Sequence, residues 1–129
     1  MKRLRAQAMV ETVLVMPILL TIVFTILVGG LLMTQKYAVT VAAREGARIC
    51  ALQQDVLKAQ DAARSVLQTY GLSPSQAILG SCQIDSTRST PYAVFTVSYR
   101  TETIVPAFVF GGTQNQLTLT STGRFLKER

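Results

Sequence analysis

Histidine is absent from this chain of 129 residues. With it go the imidazole proton shuttle, the Ser-His-Asp triad and the ordinary zinc site. Acidic residues number only seven, and Asp55, Asp61, Asp85, Glu102 and Glu128 stand in unlike contexts rather than as a recognisable pair. The glycine doublets Gly29-Gly30 and Gly111-Gly112 lack the motif and setting of a phosphate-binding loop. Serine and threonine are plentiful, but none sits in a nucleophile elbow. These absences argue against an enzyme, and no cofactor or metal is expected.

Charge is also missing, locally. From Thr12 to Gln35 no ionisable side chain occurs, directly behind Lys2, Arg3 and Arg5. Such a run is about 36 Å long as a helix, against a hydrocarbon core of about 30 Å. A cleaved secretory signal would be shorter and followed by an A-x-A site, which Leu31-Leu32-Met33-Thr34-Gln35-Lys36 does not offer. A core helix that is apolar all round would be hard to hide in a domain of this size. The run therefore reads as a membrane anchor in the lipid bilayer. Lys2, Arg3 and Arg5 favour a cytoplasmic N-terminus, although Lys36, Arg44 and Arg48 follow on the other side. The remainder would then be exported beyond the membrane.

Without its anchor the chain is one small domain with a modest core. The formal charge of +6 is scattered over Arg64, Arg88, Arg100, Arg124, Lys127 and Arg129 rather than massed, which suits a soluble surface better than a nucleic-acid site. Cys50 and Cys82 are the two cysteines. In an exported domain they predict one disulfide; two buried thiols or an intermolecular bridge are the alternatives.

Residues 1–11 form a basic, leader-like segment, 12–35 the span, 36–73 an exported helical region and 74–129 a β-rich head. After the span the helical register continues to about Gln53. Ala38, Ala42 and Gly46 recur every four positions and make a smooth strip where another helix can approach closely, although alanine is also simply a good helix former. Gly29-Gly30 is a candidate hinge. A second helix is predicted from about Asp55 to Tyr70, with Val56, Ala59, Ala63, Val66, Leu67 and Tyr70 on one stripe. Asp55 is placed as its N-cap and Gly71 as the residue after its C-cap. Strands are predicted at Tyr92–Tyr99, at Gln116–Thr122 and around Ser81–Asp85, with turns at Ser86–Pro91 and Gly111–Asn115. The fold class is α+β: a long transmembrane helix continuing into a stalk, an amphipathic helix and a small antiparallel sheet.

Glu11 stands at the edge of the apolar run, and Pro17 follows six residues later. A carboxylate there is expected either to sit at the interface near a helix N-terminus or to pair with a positive group on a neighbouring subunit. Pro17 removes one helical hydrogen bond and is expected to kink the span.

The string Arg5-Ala6-Gln7-Ala8-Met9-Val10-Glu11, followed by Val13-Leu14-Val15-Met16-Pro17, resembles the N-terminus of TadE-like proteins of tight-adherence (Tad/Flp) pilus systems. Ala42-Ala43-Arg44-Glu45-Gly46-Ala47-Arg48 is similar to their second block, and Gly123-Arg124-Phe125-Leu126-Lys127-Glu128 to their closing segment. The resemblance implies a minor pilin or pseudopilin anchored in the inner membrane with its head periplasmic or extracellular. Its implied partners are other pilin or pseudopilin subunits, the inner-membrane assembly platform and a prepilin peptidase. That peptidase would cut between Ala6 and Gln7, and Glu11 would neutralise the new amino terminus of an adjacent subunit. Ala6 stands where glycine is usual in such leaders, and Thr12 where an aromatic is common. A different class of function is a single-pass binding protein whose head captures a ligand such as DNA through Arg88, Arg100 and Arg124.

Overall fold

The computed structural model describes residues 2–87, 90–102 and 116–126. Two compact units divide the chain, Met1–Met33 and Thr34–Arg129. Helix α1 spans Lys2–Gln53 and stays helical through Pro17 and through Gly29-Gly30.

In the second unit α1 ends where Gln54 adopts φ +53°, a left-handed conformation that no glycine relieves. Asp55 then caps helix α2 (Val56–Thr69), its carboxylate accepting from the backbone N–H of Leu57 at 3.0 Å and of Lys58 at 3.4 Å. At the other end the Gly71 N–H donates to Gln68 O and the Leu72 N–H to Leu67 O, both at 2.9 Å. This double bond pattern needs a left-handed residue after the C-cap, and Gly71 supplies it with φ +73°. The predicted caps of α2 are therefore both realised. Ala59, Ala63 and Leu67, at intervals of four, form its buried face.

A short 3-10 turn at Pro74–Gln76 leads into a four-stranded antiparallel sheet. Its strands are β1 (Ala77–Leu79), β2 (Gln83–Asp85), β3 (Tyr92–Glu102) and β4 (Gln116–Leu126). β3 is central. β4 pairs with it along its whole length, from Tyr92 opposite Leu126 to Glu102 opposite Gln116. β1 and β2 lie end to end on the other side, with Leu79 opposite Val97 and Gln83 opposite Val94. The Gly80 N–H donates to Thr96 O at 2.8 Å, so three steps from Gly80 to Gln83 face two steps of β3. This is a bulge of one extra residue, and it changes which parity faces inward. Leu79 and Cys82 both reach the core side as a result, and Cys82 joins Cys50 in a disulfide with Cα atoms 5.7 Å apart.

The predicted strands are present, with β3 and β4 each longer at its C-terminal end than expected. β1 was not anticipated; three residues are too few to display alternation. The expected turn at Gly111–Asn115, together with Arg88 and the tail from Lys127, lies outside the described residues.

Burial alternates along β3. Ala93, Phe95, Val97, Tyr99 and Thr101 face inward, against Val39, Ala42, Ala43, Ala47 and Cys50 of α1 and the buried face of α2. The core is built mainly of alanine, which lets helix and sheet backbones come close. Polar links join its layers: Tyr99 donates its hydroxyl to Gln76 Oε1 at 2.9 Å, Gln60 Nε2 donates to Gly80 O at 3.2 Å, Ser121 Oγ donates to Thr40 Oγ1 at 3.2 Å, and the Lys36 ammonium donates to Thr120 O. Tyr37 and Tyr70 meet edge to face, ring centroids 6.0 Å apart, which ties α1 to α2.

Candidate functional site

In the first unit the residues with chemical interest all lie on α1. Side chains from Met9 to Leu27 are exposed without exception, among them Met9, Val13, Leu14, Ile18, Leu20 and Ile26. An exposed surface this apolar, on every side of a helix, has no stable place in water. The segment has a mean hydropathy of 2.6 over its most apolar window and is long and apolar enough to cross a membrane. Its hydroxyls are compatible with lipid: Thr21 Oγ1 donates to Pro17 O and Thr25 Oγ1 to Thr21 O, each at 2.8 Å. Pro17 has no N–H to offer the carbonyl of Val13, so one backbone acceptor in this stretch lacks its helical donor.

Glu11 is exposed and shares a helix face with Val15 and Leu19, four and eight positions on. Ala6 and Gln7 fall within the helical backbone of α1. Glu11 and Pro17 thus sit in one continuous, outward-facing element, where a neighbouring helix can reach them.

Ala38, Ala42 and Gly46 have a different position. The strip expected to receive another helix is buried in this chain's own core, with Ala38 and Ala42 at 1% and 0% exposure. A Cβ on Gly46 would lie 2.4 Å from Cδ1 of Phe95, so the Phe95 ring rests directly on that glycine. The occupant of the strip is the chain's own sheet and second helix. Alanine and glycine at intervals of four fit a close sheet as well as they fit a close helix, and the inward alternation of Phe95, Val97 and Tyr99 was the available sign of the former.

Arg100 and Arg124, two of the three arginines considered for a DNA site, do not lie together. Arg100 lies opposite Thr118 and Arg124 opposite Val94, which separates them by six positions along β3, or about 20 Å. The outer face between them carries the hydroxyl pairs Thr96–Thr122 and Ser98–Thr120. Among the described residues no cluster of histidine, cysteine or carboxylate side chains has the geometry to hold a metal ion.

Comparison with known families gives one match: the TadE-like protein family model aligns with residues 6–48. The matched stretch contains Glu11, Pro17 and the buried strip, and covers about a third of the chain. It bears out the resemblance carried by the two helical blocks. Neither the curated proteins nor the solved structures include a match to this chain.

Proposed function

We propose that the TadE-like N-terminal third makes this chain a non-enzymatic, membrane-anchored minor pilin or pseudopilin of a Tad-type pilus or secretion machine. The observation that carries this reading is the exposed, charge-free apolar surface from Thr12 to Leu27, lying inside the family match. Such a helix serves two purposes. It stores the subunit in the bilayer, and it presents an apolar flank for bundling with the helices of other subunits.

Glu11 is the assembly residue in this scheme. A carboxylate leaving the interface for a helix bundle needs a positive partner, and the amino terminus of an adjacent subunit is one. The N-terminus faces the cytoplasm and the head lies outside it, in an oxidising compartment where the Cys50–Cys82 disulfide persists. The inner-membrane assembly platform and a prepilin peptidase acting between Ala6 and Gln7 complete the set of partners.

Intact mass of the native protein, from hosts with and without the peptidase, tests the scheme together with its presence in sheared filaments. Loss of Met1–Ala6 that depends on the peptidase, with recovery in sheared pili, supports a filament subunit. A full-length mass in both hosts, with recovery in membranes alone, makes it a fixed component of the machine. Free solubility after cell breakage, without detergent, overturns the membrane-anchored reading.

A further inference from the structure

The free edge of β4 has no role so far. Because Thr96 O is bonded to Gly80 on the β1 side, the Thr96–Thr122 pair is a non-hydrogen-bonded one. The backbone N–H and C=O of Thr122 therefore point away from β3, and those of Thr118, Thr120 and Arg124 follow by alternation. At Thr120 the edge is closed, since the Lys36 ammonium donates to Thr120 O. A lysine on an edge carbonyl is a standard means of blocking strand addition. From Thr122 onward the edge residues Thr122, Arg124, Phe125 and Leu126 are exposed, and among the described strands β4 pairs with β3 alone.

That open stretch borders a groove between β4 and α1, lined by three arginines, Arg44, Arg48 and Arg124, and one carboxylate, Glu45, together with Val41 and Phe125 among others, so the groove's charged lining is net positive. Arg44 and Arg124 have no ion pair among the described residues, and Arg48 is bridged only to Glu45, at 3.4 Å and exposed. Arg124 lies on the outer face of the sheet, whereas Arg44 and Arg48 belong to the helix that packs on the inner face. A strand added here would meet cations on both of its faces.

We propose that the Thr122–Leu126 edge of β4 binds an extended, acidic segment of another protein by strand addition. Backbone bonds to Thr122 and Arg124 hold it, and its alternate carboxylates meet Arg124 on one side and Arg44 and Arg48 on the other. A second copy of this chain is a poor occupant, because its formal charge is +6 and its own β4 is basic. Residues 103–115 of the same chain carry no charge at all and do not match the groove either.

The test uses the detergent-solubilised full chain and a fluorescent peptide, Thr-Val-Thr-Glu-Glu-Glu-Thr-Val-Thr. Adjacent residues of a strand face opposite ways, so this sequence offers carboxylates to both sides. Three controls accompany it: a peptide with lysine for glutamate, an acidic peptide N-methylated at alternate residues, and a single-stranded DNA oligonucleotide. Saturable binding of the acidic peptide is expected, with at least about a tenfold loss on N-methylation, with the lysine peptide, and in the Arg44→Glu/Arg124→Glu variant. Lys36→Ala, which uncovers Thr120, is expected to tighten binding. Equal affinity of the N-methylated peptide, or tighter binding of the oligonucleotide, would show plain anion attraction and overturn strand addition. Failure of the acidic peptide to bind, or indifference to charge reversal in a variant that keeps its unfolding midpoint, overturns it as well.

Discussion

The backbone of β4 rests on the backbone of α1 at Gly123 and Ala43. A Cβ built on Gly123 would lie 2.0 Å from the carbonyl oxygen of Ala43 and 2.8 Å from the Arg44 nitrogen. Neither obstacle is a side chain that could turn aside. Gly123→Ala must therefore lift the strand off the helix, at a cost of about 3 kcal/mol, the upper end of the usual range for overpacking. Urea unfolding of the full chain in detergent, followed through the head's tyrosines, checks this. A midpoint within error of the parent's would mean that helix and strand are not in this contact.

The neighbouring contact behaves differently because one partner is a side chain. Gly46 lies under the Phe95 ring, and Phe95 is fully buried. Gly46→Ala is expected to cost about 1–3 kcal/mol by forcing the ring aside, and Phe95→Leu about the same by leaving a void. Combined, the two changes partly relieve each other, since a smaller residue at 95 makes room for the methyl at 46. The double variant is expected to lose less stability than the two single variants added together. Strict additivity would show that the two residues are not coupled.

Much of this architecture is legible in the sequence, for reasons that differ by element. Helix α2 is marked at both ends by residues whose local chemistry has few other uses, Asp55 and Gly71, and its apolar stripe has one period. β3 is readable because it is buried on one face only, so its alternation survives. The apolar run of α1 is unmistakable by length. What could not be read is the partner of the Ala38/Ala42/Gly46 strip, because small side chains record how close a neighbour comes and not what it is. The bulge at Ser81-Cys82 was equally hidden: it is defined by the register of β3, which no local signal in Gly80–Gln83 specifies. The open edge of β4 is likewise a property of strand order.

The disulfide clamps the end of α1 to that bulge, across a sequence separation of 32 residues. In the chain-entropy account a crosslink of this span contributes roughly 3–4 kcal/mol. Reduction, or the Cys50→Ser/Cys82→Ser variant, is therefore expected to lower the urea midpoint of the head while leaving membrane extraction unchanged. An unaltered midpoint after complete alkylation of both thiols would contradict a stabilising role.

Gln54 carries the positive φ at which α1 stops, at 53°. It is exposed, so no packing is lost on trimming it. Gln54→Gly removes a steric penalty of about 1–2 kcal/mol and returns part of it as unfolded-chain entropy. A net gain of about 0.5–1 kcal/mol is expected, checked by the same unfolding curve. Gln54→Val, β-branched at the same φ, is expected to move the midpoint the opposite way.

Glu11 tests the assembly role separately from folding, because it lies in the first unit and the head's core lies wholly in the second. If its carboxylate meets a neighbour's amino terminus, Glu11→Gln keeps the shape and loses the charge, whereas Glu11→Asp keeps the charge and shortens the reach. Both variants are expected to insert in membranes and to retain the parent's urea midpoint. Recovery of the chain in sheared filaments is expected to fall at least about tenfold for Glu11→Gln, the loss of one charge-assisted contact in a low-dielectric bundle, and less for Glu11→Asp. Normal recovery of Glu11→Gln would leave the carboxylate without a pairing role, since α1 begins at Lys2 and Glu11 lies beyond the helix's first turn. The exposed apolar flank would then drive bundling without a pairing step.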